Sequence, residues 1–467
     1  MKRARDKAAA LAAGAQGLDA LCREYREKRA TVRLEQLAGG ALPFYAAAAV
    51  GRVGGVHLFV AEDRDAAAYL LNDFYALLDE RRVLFFPASY KRSIAYGAED
   101  AQGVVQRTAT LDALRRFAAG ESAAAGVPPS AGTGGGGDGA AARGGKSSAG
   151  GAEAGRATVA DAAPEGPDYL VVCTYPEALA ERVADACDLQ RETIRVAVGD
   201  RITPEVLVEA LVDAGFERVD FVYEPGQYSL RGGIVDVFSY SESKPFRVDF
   251  FGDEVDSIRR FNISSQLSEA RLAEAGIVPN LNAREARRVS LARFAGAEAS
   301  FWFYDAEHVL QRVNEVRRKL LGDLEDPSRI DYHVTSRNGL LADMAEARMF
   351  VQRDNLKERP AVAAVAFDTA PQPEFNKHFE VLADDLVRNA LRGYETYLLS
   401  ENKLQIERLQ DILRRIGRGQ AAVVPLALTL HEGFVDHALK ACFYTDHQIF
   451  DRYQRYRING EIRRDEQ

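Results

Sequence analysis

The chain is poor in cysteine and pairs none of it. Cys22, Cys173, Cys187 and Cys442 are scattered over 467 residues with no C-x-x-C spacing. That excludes a disulfide framework and fits a reduced, cytoplasmic compartment. No run of about 18 apolar residues occurs, so no membrane span is expected. The start, MKRARDKAAALAAGAQ, is basic and then alanine-rich, but it is short of large apolar residues, and Asp19, Arg23 and Glu24 follow at once. A secretion signal is not expected. There is no excess of positive charge either: the net charge is −9. Proteins that live on nucleic-acid phosphates are usually basic over the binding domain, so any such contact must be local. Residues 119–167, containing ESAAAGVPPSAGTGGGGDGAAARGGKSSAGGAEAGRA, have almost no large apolar side chains. Such a stretch cannot offset its ordering entropy and is expected to be a disordered surface insertion. No Ser or Cys sits in a nucleophile elbow, and no internal repeat is found.

What is present is ordinary globular material, with 47% hydrophobic and 28% charged residues. The length suggests roughly three domains. VHLFVAE (56–62), RVLFFP (82–87) and DYLVVCT (168–174) read as buried strands. A helix is expected over Arg64–Leu78, and another from Pro176 to about Cys187. Strands alternating with helices predict a parallel α/β sheet that the insertion interrupts without dividing. ITPEVLVEALVDAGF (202–216) reads as a helix capped by Thr203, opened by Pro204 and ended by Gly215. Then the period changes. RVDFVYE, GGIVDVFSY, PFRVDFF and EVDSIRRF are short strands joined by EPGQ, SESK and GD turns, which predicts an antiparallel sheet. Residues 280–350 are mixed. Residues 374–416 hold two helical stretches, and 421–430 and 440–445 are strand candidates, together a small α/β domain. The terminal RYQRYRINGEIRRDEQ reads as helical and polar.

Several motifs lack what their chemistry needs. GGKSS (144–148) resembles the end of a phosphate loop, yet five residues before Gly145 stands Ala140, not glycine. The stretch 31–51 has the right strand–turn–helix setting. Its turn, however, reads Gly39-Gly40-Ala41-Leu42, with no lysine for the phosphates and no hydroxyl for Mg²⁺. It is expected to be a tight connection that binds no nucleotide. HEGFVDH (431–437) separates His431 and His437 by six, not the four that would align two metal ligands on one helical face. No metal site is expected; Cys442 and His447 lie near in sequence, so metal analysis of the purified chain is the check. The basic, aromatic tail (Arg452, Tyr453, Arg455, Tyr456, Arg457, Arg463, Arg464) suits either a solvated linker or a nucleic-acid contact.

In PFRVDFF, Phe246, Val248 and Phe250 alternate with Arg247, Asp249 and Phe251. Alternate residues on a strand face opposite ways, so Phe251 falls on the polar face, four residues from Arg247. Two readings stay open from the residues alone. The ring is core covered by a neighbouring domain, or it belongs to a partner surface, where aromatic and arginine pairings dominate binding energy. Arg231 adds a second cation across the hairpin.

The run YEPGQYSLRGGIVDVFSYSESKPFRVDFFGDEVDSIRRFNISSQLS (223–268) closely resembles the UvrB-homology module of the transcription-repair coupling factor family. The resemblance extends to VLFFPASYKRSIAYG (83–97), VVCTYPEAL (171–179) and LHEGFVDHALKACFYTDHQIFDRYQRY (430–456), with a Bacteroidota-like cast. It implies an α/β multidomain fold. Residues 1–192 would be a UvrB-like parallel α/β domain of degenerate P-loop NTPase type, and 193–279 an inserted antiparallel α+β domain that binds UvrA. Residues 280–350 would complete the UvrB-like core, 360–450 would form a small C-terminal α/β domain, and 451–467 would link to a further half.

The family's UvrA-binding residues map onto Arg231, Arg247 and Phe251, the arginines pairing with acidic or carbonyl groups and the ring filling a pocket. RNA polymerase and DNA would be contacted through the part of the family that this chain lacks, and in the full-length family a C-terminal domain masks the UvrA surface. The implied role is a non-catalytic module of transcription-coupled nucleotide excision repair, monomeric, free of cofactor, and open to UvrA. The alternative is a part of an ATP-dependent DNA translocase whose phosphate loop and DE-x-H box are not in this sequence.

Overall fold

The computed structural model describes residues 2–27, 30–89, 101–121, 167–283, 286–324, 326–417 and 422–452. Most of the 119–167 insertion, GGKSS and the terminal tail after Arg452 lie outside them.

Apolar runs such as HLFV (57–60), LVVC (170–173) and FWF (301–303) leave no polar face for water. Sequences of that kind suit strands covered on both faces, which is the situation in a parallel sheet. Seven strands form one. Their spatial order is Ala363–Ala366, Thr31–Glu35, Arg348–Arg353, Ser300–Asp305, Gly55–Val60, Tyr169–Thr174 and Val83–Phe85. Every neighbouring pair is parallel. The helices Ala41–Val53, Arg64–Leu77 and Ala306–Asp323 pack against it with Phe44, Leu71, Phe74, Val309 and Val313 in its core. Residues 280–350 therefore supply strands to the first sheet. So does Ala363–Ala366, within the span expected to be the small C-terminal domain.

The expected helix from Pro176 to Cys187 is broken. It stops at Ala180, a short strand Val183–Ala184 pairs with Arg288–Val289, and a second helix spans Ala186–Glu192. Asp185 starts the new helix by accepting from the Asp188 N–H, so apolar spacing alone misses a break made by a cap.

Residues 194–282 carry the change of period. Six strands lie in the order Ser268–Leu272, Glu254–Phe261, Phe246–Phe251, Ile234–Val237, Gln227–Arg231 and Glu217–Arg218. All but the last pair are antiparallel. The helix Pro204–Asp213, capped by Thr203 and followed by Gly215 at φ +82, lays Leu207 and Leu211 on the apolar face with Val235, Val237, Phe246, Val248 and Ile258. RVDFVYE is not a strand beyond Arg218. The Gln227 Oε1 instead accepts from the N–H groups of Tyr223 and Glu224 and closes a turn.

This domain meets the body at Glu242, a buried carboxylate 3.1 Å from the Arg260 guanidinium. Burial pushes its pKa up to about 7 from an ordinary 4.5, against the pull of Arg260; Asp112 of the Ala101–Ala118 helix adds to the rise and Arg116 opposes it. An acid whose folded pKa is raised favours folding below its unfolded value and loses that contribution as pH climbs through the folded one. The stability of the chain is therefore expected to fall between about pH 4.5 and about pH 7 through this group. Denaturation across that window checks it, and Glu242→Gln should flatten the dependence.

The small C-terminal domain is a five-stranded mixed sheet, ordered Thr369–Pro371, Phe434–Asp436, Ala441–Thr445, Glu395–Leu399 and Val424–Leu426. Glu395–Leu399 lies between the two expected helices, observed as Phe379–Leu391 and Lys403–Ile416. This strand is not evident from the sequence, being short and flanked by stronger helical patterns.

Candidate functional site

The Gly39–Gly40 turn sits where the parallel sheet meets the helix Ala41–Val53, the place where α/β folds present backbone N–H groups to phosphates. Here the place is filled by the chain itself. A Cβ on Gly40 would come within 2.2 Å of the Glu432 carbonyl oxygen, and one on Gly39 within 2.5 Å of that of Gly433. Ala41 and Leu42 follow in the helix, Ala41 fully buried and Leu42 packed on the core. Docking is tight around this plug. The His431 N–H donates to Asp73 Oδ1 at 2.6 Å, the His431 ring stacks on Tyr69, and the Tyr45 hydroxyl donates to Asp436. Burial drives the Asp73 carboxyl well above its usual range.

HEGFVDH is not helical: Phe434–Asp436 is a strand, with bends before it and a turn after it. His431 and His437 have separate partners, Tyr394 holding the second at 3.0 Å, and among the described residues no group of three metal-ligating side chains occurs. The fit at Gly40 makes a prediction. Gly40→Ala should destabilise the chain by about 1–3 kcal/mol through overpacking. Gly51→Ala, in the same helix but facing open space, should be neutral or stabilising by about 0.5–1 kcal/mol. Chemical denaturation of the two variants separates them.

The second location is the outer face of the antiparallel sheet. Two tight hairpins end there side by side. Arg231 pairs with Ile234 across Gly232–Gly233, and Phe251 with Glu254 across Gly252–Asp253. Gly232 and Gly252 have φ of +60 and +66. A two-residue loop with positive φ at its first position matches the strand twist and fixes the register. The Phe250 N–H donates to the Gly233 carbonyl at 2.8 Å, which ties one tip to the other. Phe251 stands at this edge 84% exposed. It is not core.

The two arginines converge on one carboxylate. Arg247 grips Asp236 bidentately, Nε to Oδ1 at 2.7 Å and a terminal nitrogen to Oδ2 at 2.9 Å. It also lies over the Phe261 ring at 4.4 Å and reaches the Gln266 carbonyl. Arg231 donates to the same Asp236 and covers Phe221 at 5.1 Å. Asp236 is 1% exposed, while the side chains of Arg247 and Arg231 are 17% and 39% exposed. Hydrogen bonding to Asp236 raises the Arg247 pKa above its ordinary value. The bidentate acceptor of Arg247 is therefore inside the chain, and Arg231 keeps more of its surface for solvent. Arg247 and Phe251 occupy one face of the strand Phe246–Phe251, with Asp249 between them bound to Arg259 at 2.9 Å. The sequence reading missed Asp236 and the half-exposed Phe221 and Tyr223. Asp236 had a signal, because in RGGIVDVF the alternation puts it on the side opposite the apolar Val235 and Val237.

The face thus presents paired hairpin tips with an exposed aromatic and, further along the same sheet, an arginine clamp on Asp236. Residues 194–282 match the UvrB interaction domain family. The chain is also similar to transcription-repair-coupling factors. It is 43% identical to that of Bacillus subtilis over 84 residues, which is 18% of this chain and 7% of the relative. It is 37% identical to that of Myxococcus xanthus over 115 residues, 25% of this chain and 10% of the relative. It is 30% identical to that of Escherichia coli over 138 residues, 29% of this chain and 12% of the relative. The matched part thus spans only 7 to 12% of these relatives' length. Transcription-coupled repair of DNA is the setting this similarity supports.

Proposed function

We propose that this chain is a non-catalytic recruiting module of transcription-coupled nucleotide excision repair, which binds UvrA through the outer face of the antiparallel sheet and so brings it to stalled RNA polymerase. The observation that carries the reading is Phe251, a large ring exposed to solvent at a hairpin tip, on the same sheet face as two arginines oriented by Asp236. Exposed aromatics beside arginines concentrate binding energy. In this reading Asp236 sets the direction of Arg231 and Arg247, Phe251 enters an apolar pocket of UvrA, and Arg231 supplies charge-assisted hydrogen bonds.

The module works as a monomer in the cytoplasm without a cofactor. Two observations support the absence of nucleotide: the Gly39–Gly40 turn is covered by Glu432 and Gly433, and Ala41 and Leu42 stand where a phosphate loop needs lysine and a hydroxyl. No helix among the described residues is long and apolar enough to cross a membrane. RNA polymerase and DNA are met through segments other than this sheet. Titration of the purified chain with purified UvrA tests the reading: saturable one-to-one binding is expected, and its absence would remove the proposed role.

A further inference from the structure

The outer face of the antiparallel sheet has a charge pattern that the Phe251 site does not use. Strand register places Ser229, Asp236, Arg247, Arg259 and Arg271 side by side across five strands. Arg231, Ile234, Asp249 and Ser257 form the adjoining row. Three arginines therefore stand as direct cross-strand neighbours, at separations of about 5 Å. Like charges in that position oppose folding. Compensation runs out across the sheet. Arg247 has Asp236, shared with Arg231. Arg259, 32% exposed, has Asp249 and the Ser257 hydroxyl, and its buried Nε has no acceptor. Arg271, on the edge strand Ser268–Leu272, is exposed and makes no ion pair among the described residues. The nearby Glu269 is taken by Lys244. In these two rows four guanidiniums thus meet two carboxylates.

We infer that Arg259 and Arg271 extend the UvrA-docking surface of the proposed function two strands beyond Arg247, to the sheet edge, and receive an acidic segment of that same protein partner. The inference rests on that reading. Charge complementarity names the occupant: a surplus of guanidinium that weakens the fold is offset when carboxylates arrive from outside, and Arg suits them geometrically. A nucleic acid fits the same face less well. Asp253, Glu254 and Asp256 are exposed around the Phe251 tip and would repel a continuous phosphate backbone. A protein that presents an apolar pocket at the tip and carboxylates toward the edge meets both ends. The row supplies steering, while Phe251 supplies hold.

The test uses the full chain and purified UvrA. Arg271→Glu is compared with Arg414→Glu, an equal charge change on an exposed residue of the small domain's Lys403–Ile416 helix. Arg271 has no ion-pair partner among the described residues and Arg414 has only the exposed Asp411, so neither variant should melt more than slightly below the wild type. Reversing a rim charge chiefly lowers the association rate and its salt dependence, so Arg271→Glu should associate about five- to tenfold more slowly at low salt and approach wild type at high salt. Arg414→Glu should match wild type. If Arg271→Glu binds like Arg414→Glu while Phe251→Ala loses UvrA, the inference is overturned and the proposed function stands. If the wild-type chain does not bind UvrA, the proposed function fails first and takes the inference with it. If the wild type binds duplex DNA and Arg271→Glu abolishes that without altering UvrA association, the row is a phosphate site and the inference is wrong.

Discussion

Asp236→Ala is expected to lower the stability of the chain by about 2–3 kcal/mol, as read by chemical denaturation. Removing one side of a buried ion pair generally costs about 3–5 kcal/mol, because a buried charge loses its counter-ion. Two features place this case below that range. Arg231 is 39% exposed and turns to water when its acceptor disappears. Arg247 keeps the Phe261 ring and the Gln266 carbonyl. Asp236→Asn preserves shape and one acceptor, and should cost less than alanine. The same substitution should weaken UvrA binding, since the two arginines lose the group that aims them. The pairing of these effects is the informative result. An Asp236→Ala chain as stable as wild type would mean that the clamp contributes nothing to the fold.

Phe251→Ala should do the reverse. The side chain is 84% exposed and ends a strand whose other face is packed. Surface truncations of this kind change stability by about 0.5 kcal/mol or less. In binding, a central aromatic anchor typically accounts for about 2 kcal/mol or more, roughly thirtyfold in affinity. Wild-type melting with a thirtyfold affinity loss separates an interface ring from a core ring, because a core phenylalanine cut to alanine costs about 3–5 kcal/mol of stability.

Legibility in the sequence followed the length scale of the interaction. Alternation in PFRVDFF depends only on backbone pleating, and it put Phe251 on the polar face. The helix at Pro204 was legible for a similar reason, since cap, first-turn proline and terminal glycine are all local. Features that arise when distant segments meet were not legible. Asp236 is shared by two arginines, one five residues before it and one eleven after it, and nothing local marks it as their common acceptor. The plug over Gly39–Gly40 joins residues nearly 400 positions apart. The sequence showed only what the turn lacked, not that Glu432 and Gly433 fill it. The strand Glu395–Leu399 was hidden because its pairing with Ala441–Thr445 and Val424–Leu426 is non-local. The Arg247–Arg259–Arg271 row likewise needs the register of three strands before it exists.

The central claim is that an exposed ring on this sheet recruits UvrA. The measurement that tests it most directly is a binding isotherm of the full chain with purified UvrA, wild type beside Phe251→Ala, each checked for an unchanged melting curve. Saturable wild-type binding is expected, with an affinity about thirtyfold weaker in Phe251→Ala. Equal affinities for the two chains, or no wild-type binding, would contradict it.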